Sequence, residues 1–482
     1  MLRASIHFHE AAEAKDARFD GLFFICVTST KIYCRPVCPV KPPKRENRLF
    51  VRTPAAAEAR GFRPCLRCCP ERAPGGAPMD RSPILAGKAV GLIEAGAMDD
   101  DNEERLAIRL GITTRHLRRV VKQTMGVTPV ALAQTRRLLS AKQLLGETNA
   151  PITEIAFAAG FASLRRFNAA FLDRYGLNPS TMRRARAAPV GHGITLRLAY
   201  RPPFDLNAHY SWLAQRAIPG VEQVEGLVWR RTVQISGRVG IISVTPNREN
   251  EVEITLSDSL LPAMRPLLSR IRAVFDLDAD IARIDAFLGG HSELLPMVRV
   301  RPGIRLPLAF DPFEGVIRTI LGQQVSVAAA RTFAGRLAAT FGTALPEAPE
   351  GLTRIFPSAH ALAAAGAGGL QTIGLTQARA QTLFTVAEAI ASETLNLASP
   401  NARTQLRALP GIGEWTETYV ALRVLGDPDV FPLTDLVLAQ RIGGQNPQAQ
   451  KAIAEQWSPW RSYAAQRIWI QGDTKEFGNA QE

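Results

Sequence analysis

All six cysteines of this 482-residue chain lie between Cys26 and Cys69, and no thiol follows. Four of them form two close pairs, Cys34-x-x-x-Cys38 and Cys65-x-x-Cys68. Two close thiol pairs separated by a short stretch of chain make the pattern of one tetrahedral zinc site. A segment of about 80 residues has little core of its own, so the metal would hold it together. Short strands are expected around the site at Leu22–Thr28, Ile32–Tyr33 and Arg48–Val51. Cys26 lies in an apolar strand and reads as a core residue, and Cys69 reads as a bystander beside Cys68.

The formal net charge is +14, so a polyanion, nucleic acid first, is the expected partner. The chain is long enough for three or four domains, and 46% hydrophobic residues suffice for packed cores. No run of about 18 apolar residues occurs, so no membrane span is expected. The N-terminus lacks the basic-then-apolar pattern of a signal peptide. These readings place the protein in the cytoplasm, where clustered thiols indicate metal or reactive chemistry before disulfides.

A second stretch carries its own chemistry. Leu409-Pro410-Gly411-Ile412-Gly413 reads as a tight apolar hairpin, with Gly411 and Gly413 supplying positive φ and close backbone approach. A helix should begin at about Glu414, and its unpaired N–H groups suit a phosphate oxygen. Asp435 follows Pro432 and heads an apolar helix, Leu436–Ile442, where an N-cap role is the plain alternative to a catalytic one. These residues resemble the helix-hairpin-helix DNA glycosylases, and within them the AlkA type, 3-methyladenine DNA glycosylase II. The resemblance implies that Leu409, Gly411 and Gly413 grip a DNA phosphate and that Asp435 drives cleavage of the N-glycosidic bond.

FDPFEGVIRTILGQQVSVAAARTFAGRLAATFG, read as one long amphipathic helical segment, is also similar to that family. It places Gln324 where the AlkA type has the leucine that fills the gap left by an extruded base. Trp415, Tyr419 and Trp469 match the family's base-pocket aromatics, whereas Trp457 and Trp460 read as packing. Bifunctional relatives carry a Schiff-base lysine where Trp415 stands, so the resemblance implies hydrolysis only, leaving an abasic site. With no cysteine after Cys69, the iron–sulfur cluster of some relatives is not expected, and neither is an organic cofactor. Upstream, strands at Thr195–Leu198, Leu227–Ile235, Val239–Pro246 and Glu251–Leu256 and helices at Phe204–Arg216 and Met264–Phe275 are expected. YRPPFD and FDLDAD there are similar to the AlkA type's leading domain, read as scaffold.

The front of the chain resembles a different family. DGLFFICVTSTKIYCRPVCPVKPPKRENRLF and GFRPCLRCCPE are similar to the N-terminal domain of Ada. The resemblance implies that Cys34, one zinc ligand beside Cys38, Cys65 and Cys68, accepts a methyl group from a DNA methylphosphotriester. Four thiolates on one Zn2+ carry a net charge of about −2, so methylating one relieves repulsion from DNA and strengthens binding. After the linker PGGAPMDRSP, Leu106–Leu110, Gly111 and Thr113–Thr124 read as helix, turn, helix, and so do Ile152–Ala159, Gly160 and Ser163–Tyr175. A helix at about Pro129–Leu145 joins them. The pair resembles the AraC-family DNA-binding domain. Its base-reading candidates are Thr113, Thr114, Arg115 and Arg118, then Ser163, Arg165, Arg166 and Asn168.

The expected fold class is multidomain α+β. It comprises a zinc-bound α/β domain (1–78), an all-α double helix-turn-helix (82–188), a small antiparallel sheet-plus-helix domain (192–303) and an all-α helix-hairpin-helix domain (304–482). Ada's second methyltransferase, with its own reactive cysteine, has no counterpart here. The expected function is a monofunctional glycosylase for 3-methyladenine and 7-methylguanine joined to a methylphosphotriester-sensing transcription activator. The alternative is a regulator whose glycosylase half only binds DNA. Expected partners are alkylated and promoter duplex DNA and RNA polymerase, with the chain a monomer at the bacterial nucleoid.

Overall fold

The computed structural model describes residues 6–75, 84–99, 102–184, 194–248, 250–345, 349–442 and 446–478. The linker expected at 74–83 falls almost wholly outside these residues. The chain divides into two compact units, Met1–Pro202 with Gln234–Arg272 and Leu277–Ala279, and Pro203–Val233 with Ala273–Asp276 and Asp280–Glu482. Among the described residues no helix is long and apolar enough to cross a membrane.

In the first unit, Arg48–Val51, Phe24–Val27, Ile32–Cys34 and Arg63–Pro64 form a four-stranded sheet in that order. β-Branched and aromatic residues favour these strands. The sheet brings the two cysteine pairs together. Ile32–Cys34 ends on the first ligand, and the parallel strand Arg63–Pro64 delivers Cys65 beside it. Phe24, Cys26, Tyr33 and Phe62 pack one face, and Phe23, Ile25 and Phe50 pack the other against the helix Ile6–Ala14.

The two helix-turn-helix units are Glu103–Arg109 with Thr114–Met125, and Ile152–Ala158 with Leu164–Tyr175. Gly111 and Gly160 sit in their turns at φ 66° and 87°, where a side chain would strain the backbone. Pro129–Glu147 joins the units and also buries side chains against the zinc segment. Thr135 Oγ1 donates to Glu58 at 2.7 Å, Tyr33 Oη donates to the other Glu58 oxygen at 3.0 Å, and Arg174 pairs with Glu58 as well. Lys142 Nζ meets Glu71 at 2.6 Å with both side chains buried. Strands Ile194–Ala199, Glu251–Leu256 and Arg238–Pro246 complete this unit as antiparallel neighbours.

The second unit is mostly helical. Its one sheet pairing from the leading segment is Glu222–Glu225 against Val228–Arg231. The sequence Glu222-Gln223-Val224-Glu225 is too polar to signal a strand, so this one was not expected. Val316, Ile317, Ile320, Leu337, Leu362, Leu383, Val386, Leu406 and Val420 form the core. The segment expected as one long helix is two, Pro312–Leu321 and Val327–Phe341. Its apolar period continues across the break, but Ser326 caps the second helix by accepting from Ala329 N, and Gln324 turns the chain at φ 53°.

Replacing Lys142 by Met leaves the Glu71 carboxylate buried and unpaired. The unfolding free energy of the first unit should fall by about 3–5 kcal/mol. Urea unfolding followed by circular dichroism checks this, and Lys142→Met with Glu71→Leu should restore most of the loss.

Candidate active site and metal centre

The hairpin 409–413 is anchored from beneath and open above. Ile412 is buried in the helical core and Leu409 packs on it half-buried. Gly411 lies at φ 83°, and a Cβ there would meet Thr382 Oγ1 at 2.0 Å. Both reasons for glycine hold at this position. At Gly413 the expectation of positive φ is wrong: its φ is −83° with ψ 179°, and an added Cβ would meet nothing within 4 Å. Gly413 instead stands as the N-cap of Glu414–Arg423 without any side-chain cap, leaving that helix start open to an approaching group.

Gln324, at the helix break, is exposed. Its neighbour Gln323 reaches across to the hairpin, donating from Nε2 to Gly411 O at 3.0 Å and to Thr416 Oγ1 at 2.9 Å. Arg379 Nη2 donates to Gln323 O at 2.6 Å. The bend is therefore tied to the hairpin by residues that sequence reasoning did not single out. The available signal was the polar Gln323-Gln324 pair, standing within an apolar period that runs on past it.

Asp435 is both a cap and the centre of a cluster. Its Oδ1 accepts from Val437 N and Leu438 N, each at 3.1 Å, which caps the helix Leu436–Arg441. The same oxygen accepts from Trp469 Nε1 at 3.2 Å, and Oδ2 accepts from Trp415 Nε1 at 3.1 Å. Four N–H donors on one carboxyl suit the ionised, acceptor-only form. Trp415 and Tyr419, one helical turn apart, stack at 5.0 Å and 23°. Tyr419 lies 5.7 Å from Trp469, and Trp469 lies 6.2 Å from Trp212. Sequence reasoning missed Trp212, and also Arg423, whose guanidinium faces Trp212, Trp469 and Tyr419 at 4.5, 5.1 and 5.7 Å. Trp457 and Trp460 are buried against Phe431 and Tyr463 as packing residues.

The sulfurs of Cys34, Cys38, Cys65 and Cys68 all lie within 4.8 Å of one another. A tetrahedral zinc with bonds of about 2.3 Å needs neighbouring sulfurs about 3.8 Å apart, so the set is of the right size. Backbone N–H groups of Arg35 and Arg67 point at Cys68 and Cys65 Sγ, each at 3.4 Å, as thiolates require. Hydrogen bonding to Cys34 pulls the Cys38 thiol down to about 7, while bonding to Cys38 and Cys65 pushes Cys34 up. Four such groups cannot all ionise without a cation between them. Cys34 is half-buried, whereas the other three are buried. It opens on a cavity of about 440 Å³ lined by Ile32, Val40, Lys41, Arg63, Arg67 and Tyr175, among others. Cys69 lies outside the group, and burial pushes the Cys26 thiol up to about 12.

In the helix-turn-helix units, Thr113 and Ser163 are N-caps, their side chains accepting from His116 N and Arg166 N. Arg115, Arg165, Arg166 and Asn168 are exposed, and Thr114 is half-buried. Arg118 is exposed but bound through Nε to Glu103 at 2.6 Å.

Four family descriptions match along the chain: the metal binding domain of Ada at 7–71, a helix-turn-helix domain at 106–185, the AlkA N-terminal domain at 195–311 and the HhH-GPD superfamily of base excision DNA repair proteins at 317–462. Over 478 residues the chain is 39% identical to a probable bifunctional transcriptional activator/DNA repair enzyme AlkA of Mycobacterium tuberculosis, covering 96% of this chain and 95% of that one. The chain belongs to this family of bifunctional transcriptional activators and DNA repair enzymes. It joins a zinc-binding, helix-turn-helix regulator to a DNA glycosylase. The glycosylase half of this bifunctional enzyme is similar to DNA-3-methyladenine glycosylase 2 of Escherichia coli, 35% identical over 277 residues, 56% of this chain and 95% of that one. Its fold is that of a 3-methyladenine DNA glycosylase from Archaeoglobus fulgidus, with TM-score 0.50 and 23% identity over 57% of this chain and 97% of the other.

The two hairpin glycines of the bifunctional enzyme should respond differently to alanine. Gly411→Ala forces a strained φ and a clash, and should lower the melting temperature by about 5 °C. Gly413→Ala should leave melting unchanged and weaken DNA binding, because a methyl then stands at the open helix start. Thermal melting and a DNA titration on both variants check this.

Proposed function

We propose that the enzyme half hydrolyses the N-glycosidic bond of 3-methyladenine and 7-methylguanine in duplex DNA, with Asp435 as the reacting anion. The observation that carries this is the Asp435 carboxylate held by two indole N–H groups and two backbone N–H groups. A methylated purine is already cationic and departs readily, so the barrier lies in the sugar cation left behind. An ionised carboxylate stabilises that cation or orients the attacking water, and no strong general acid is needed. Oδ1 carries three of the four donors, so Oδ2 is the oxygen with room for a water or the sugar. Trp415, Tyr419 and Trp469 supply electron-rich faces for the cationic base. Gln324 fills the vacated stack from its bend, while Leu409, Gly411 and Gly413 hold the backbone. Trp415 in place of a Schiff-base lysine supports hydrolysis without strand cleavage.

We also propose that Cys34 is the methyl acceptor. Its sulfur forms a bond to the methyl carbon, the carbon–oxygen bond breaks, and the phosphate leaves as an ordinary diester anion. Support comes from Cys34 being the least buried ligand and facing a cavity that holds Lys41 and Arg63. One zinc ion, bound by Cys34, Cys38, Cys65 and Cys68, would keep the sulfur deprotonated. Methylation lowers the local negative charge and raises promoter affinity. Thr113, Arg115, Arg118, Ser163, Arg165, Arg166 and Asn168 read the operator, with RNA polymerase as partner of a monomer in the bacterial cytoplasm. The division proposed is 1–78, 82–188, 192–303 and 304–482, alongside family matches at 7–71, 106–185, 195–311 and 317–462, the third of which runs past residue 303.

Two measurements test these readings. With methylated duplex DNA, Asp435→Asn should release 3-methyladenine at least about 100-fold more slowly than wild type while still binding DNA. Binding without release by wild type would leave a half that only holds DNA. Incubation with methylphosphotriester DNA should add one methyl group to the Cys34 peptide by mass spectrometry and strengthen promoter binding in a titration. Equal affinity before and after methylation removes the switch.

A further inference from the structure

Arg423 is 6% exposed and, among the described residues, has no carboxylate at bonding distance. Its Nη1 donates to Pro307 O at 3.1 Å, its Nη2 donates to Gln466 Oε1, and its Nε is buried without a partner. Two other buried arginines of this unit are neutralised directly, Arg231 by Glu222 and Glu314, and Arg467 by Asp285. A guanidinium buried among neutral groups is costly unless an anion stands behind them. Burial pushes the Arg423 guanidinium down from its ordinary value; the Tyr419 phenol, hydrogen-bonded to it, opposes this first, and Asp435 is the carboxylate that opposes it next.

The path between them is short and polarisable. The guanidinium carbon lies 5.1 Å from the centre of the Trp469 ring, and the N–H of that ring donates to Asp435 Oδ1 at 3.2 Å. On the other side it faces Tyr419 at 5.7 Å, which stacks on Trp415, whose N–H donates to Oδ2. A cation on the face of an indole draws charge from the ring and makes its N–H a better donor. We infer that Arg423 is the counter-charge of Asp435, a positioning residue that holds the carboxylate in its ionised form across the indoles of Trp469 and Trp415. This rests on the assignment of Asp435 proposed above.

The other groups around the carboxylate leave this role open. Arg441, on the helix that Asp435 caps, donates to the carbonyls of Ile468 and Trp469. Arg216, on the helix carrying Trp212, lies 3.2 Å over that ring. On the helices that carry Trp415 and Trp469, the Tyr419 phenol faces Arg423, Glu414 is exposed, Glu417 pairs with Arg403, Arg467 pairs with Asp285, and Gln466 is neutral. Among the described residues, Arg423 is the arginine whose guanidinium faces Trp469, a ring that donates to Asp435, and Tyr419, which stacks on the other donor, Trp415.

The test is the pH dependence of 3-methyladenine release under single-turnover conditions with the full-length protein. Arg423→Met and Arg423→Gln remove the charge, and the glutamine amide still reaches the Pro307 carbonyl should methionine fail to fold. In either folded variant the acid limb of the profile should move up by about one pH unit. At neutral pH release should be about 10-fold slower, with DNA affinity unchanged. Arg423→Lys, which keeps the charge, should keep the wild-type limb. An unmoved limb in a folded neutral variant, with Asp435→Asn inactive, overturns the role of Arg423 alone. Full activity of Asp435→Asn overturns both this inference and the reading it rests on.

Discussion

One carboxylate joins the architecture of the second unit to its chemistry. Asp435 caps the helix Leu436–Arg441 through Oδ1, and the same oxygen receives the Trp469 indole. Capping and catalysis look like competing explanations of an aspartate at a helix start. Here the cap holds one oxygen in place, so the second, bound by Trp415, can face the site. The helix start adds its own positive end to the donors around the anion. The fold cannot lose this residue without disturbing a helix, and the site cannot move without disturbing the cap.

The hairpin shows how a backbone rather than a side chain becomes a binding surface. Gly411 lets the chain pass close over Thr382, and Ile412 anchors the turn in the core. Gly413 then begins a helix without a side-chain cap. Gln323 closes the arrangement by bonding to Gly411 O and Thr416 Oγ1, so the bend carrying Gln324 and the hairpin hold their spacing together. The DNA contacts proposed for the hairpin and Gln324, one on each side of an extruded base, require such a fixed separation.

Much of this was legible in the chain because it is local. The zinc ligands are two short spacings, and the strands that unite them are short apolar runs such as Phe24–Val27. The helix-turn-helix units announce themselves through Gly111 and Gly160, and the hairpin through Leu409 to Gly413. What stayed hidden was either long-range or a matter of backbone geometry. Trp212 and Trp469 lie far apart in the chain and meet only through packing, and nothing in a segment read as scaffold marks Trp212 as part of an aromatic wall. Arg423 ends an amphipathic helix, where an arginine usually reaches solvent. The helix break at Gln324 is masked by an apolar period that runs straight through it. The sign of φ at Gly413 cannot be read from the letter glycine, which tolerates either.

Both proposed reactive groups are anions that must meet a polyanion, and the chain neutralises them differently. In the zinc cluster four thiolates would face one divalent ion, so about two negative charges would remain uncompensated. In the proposed reading a charge left in that state is a signal, because removing it by methylation would change the attraction to DNA, and a thioether has no easy way back. Asp435 instead accepts from two indole and two backbone N–H groups, with the Arg423 guanidinium facing the Trp469 ring that donates to it. An anion held this way gains and loses nothing permanent when a base departs, and is ready for the next one. The same constraint, negative charge beside phosphate, thus separates a group used once from a group used repeatedly, according to how completely the protein has balanced it.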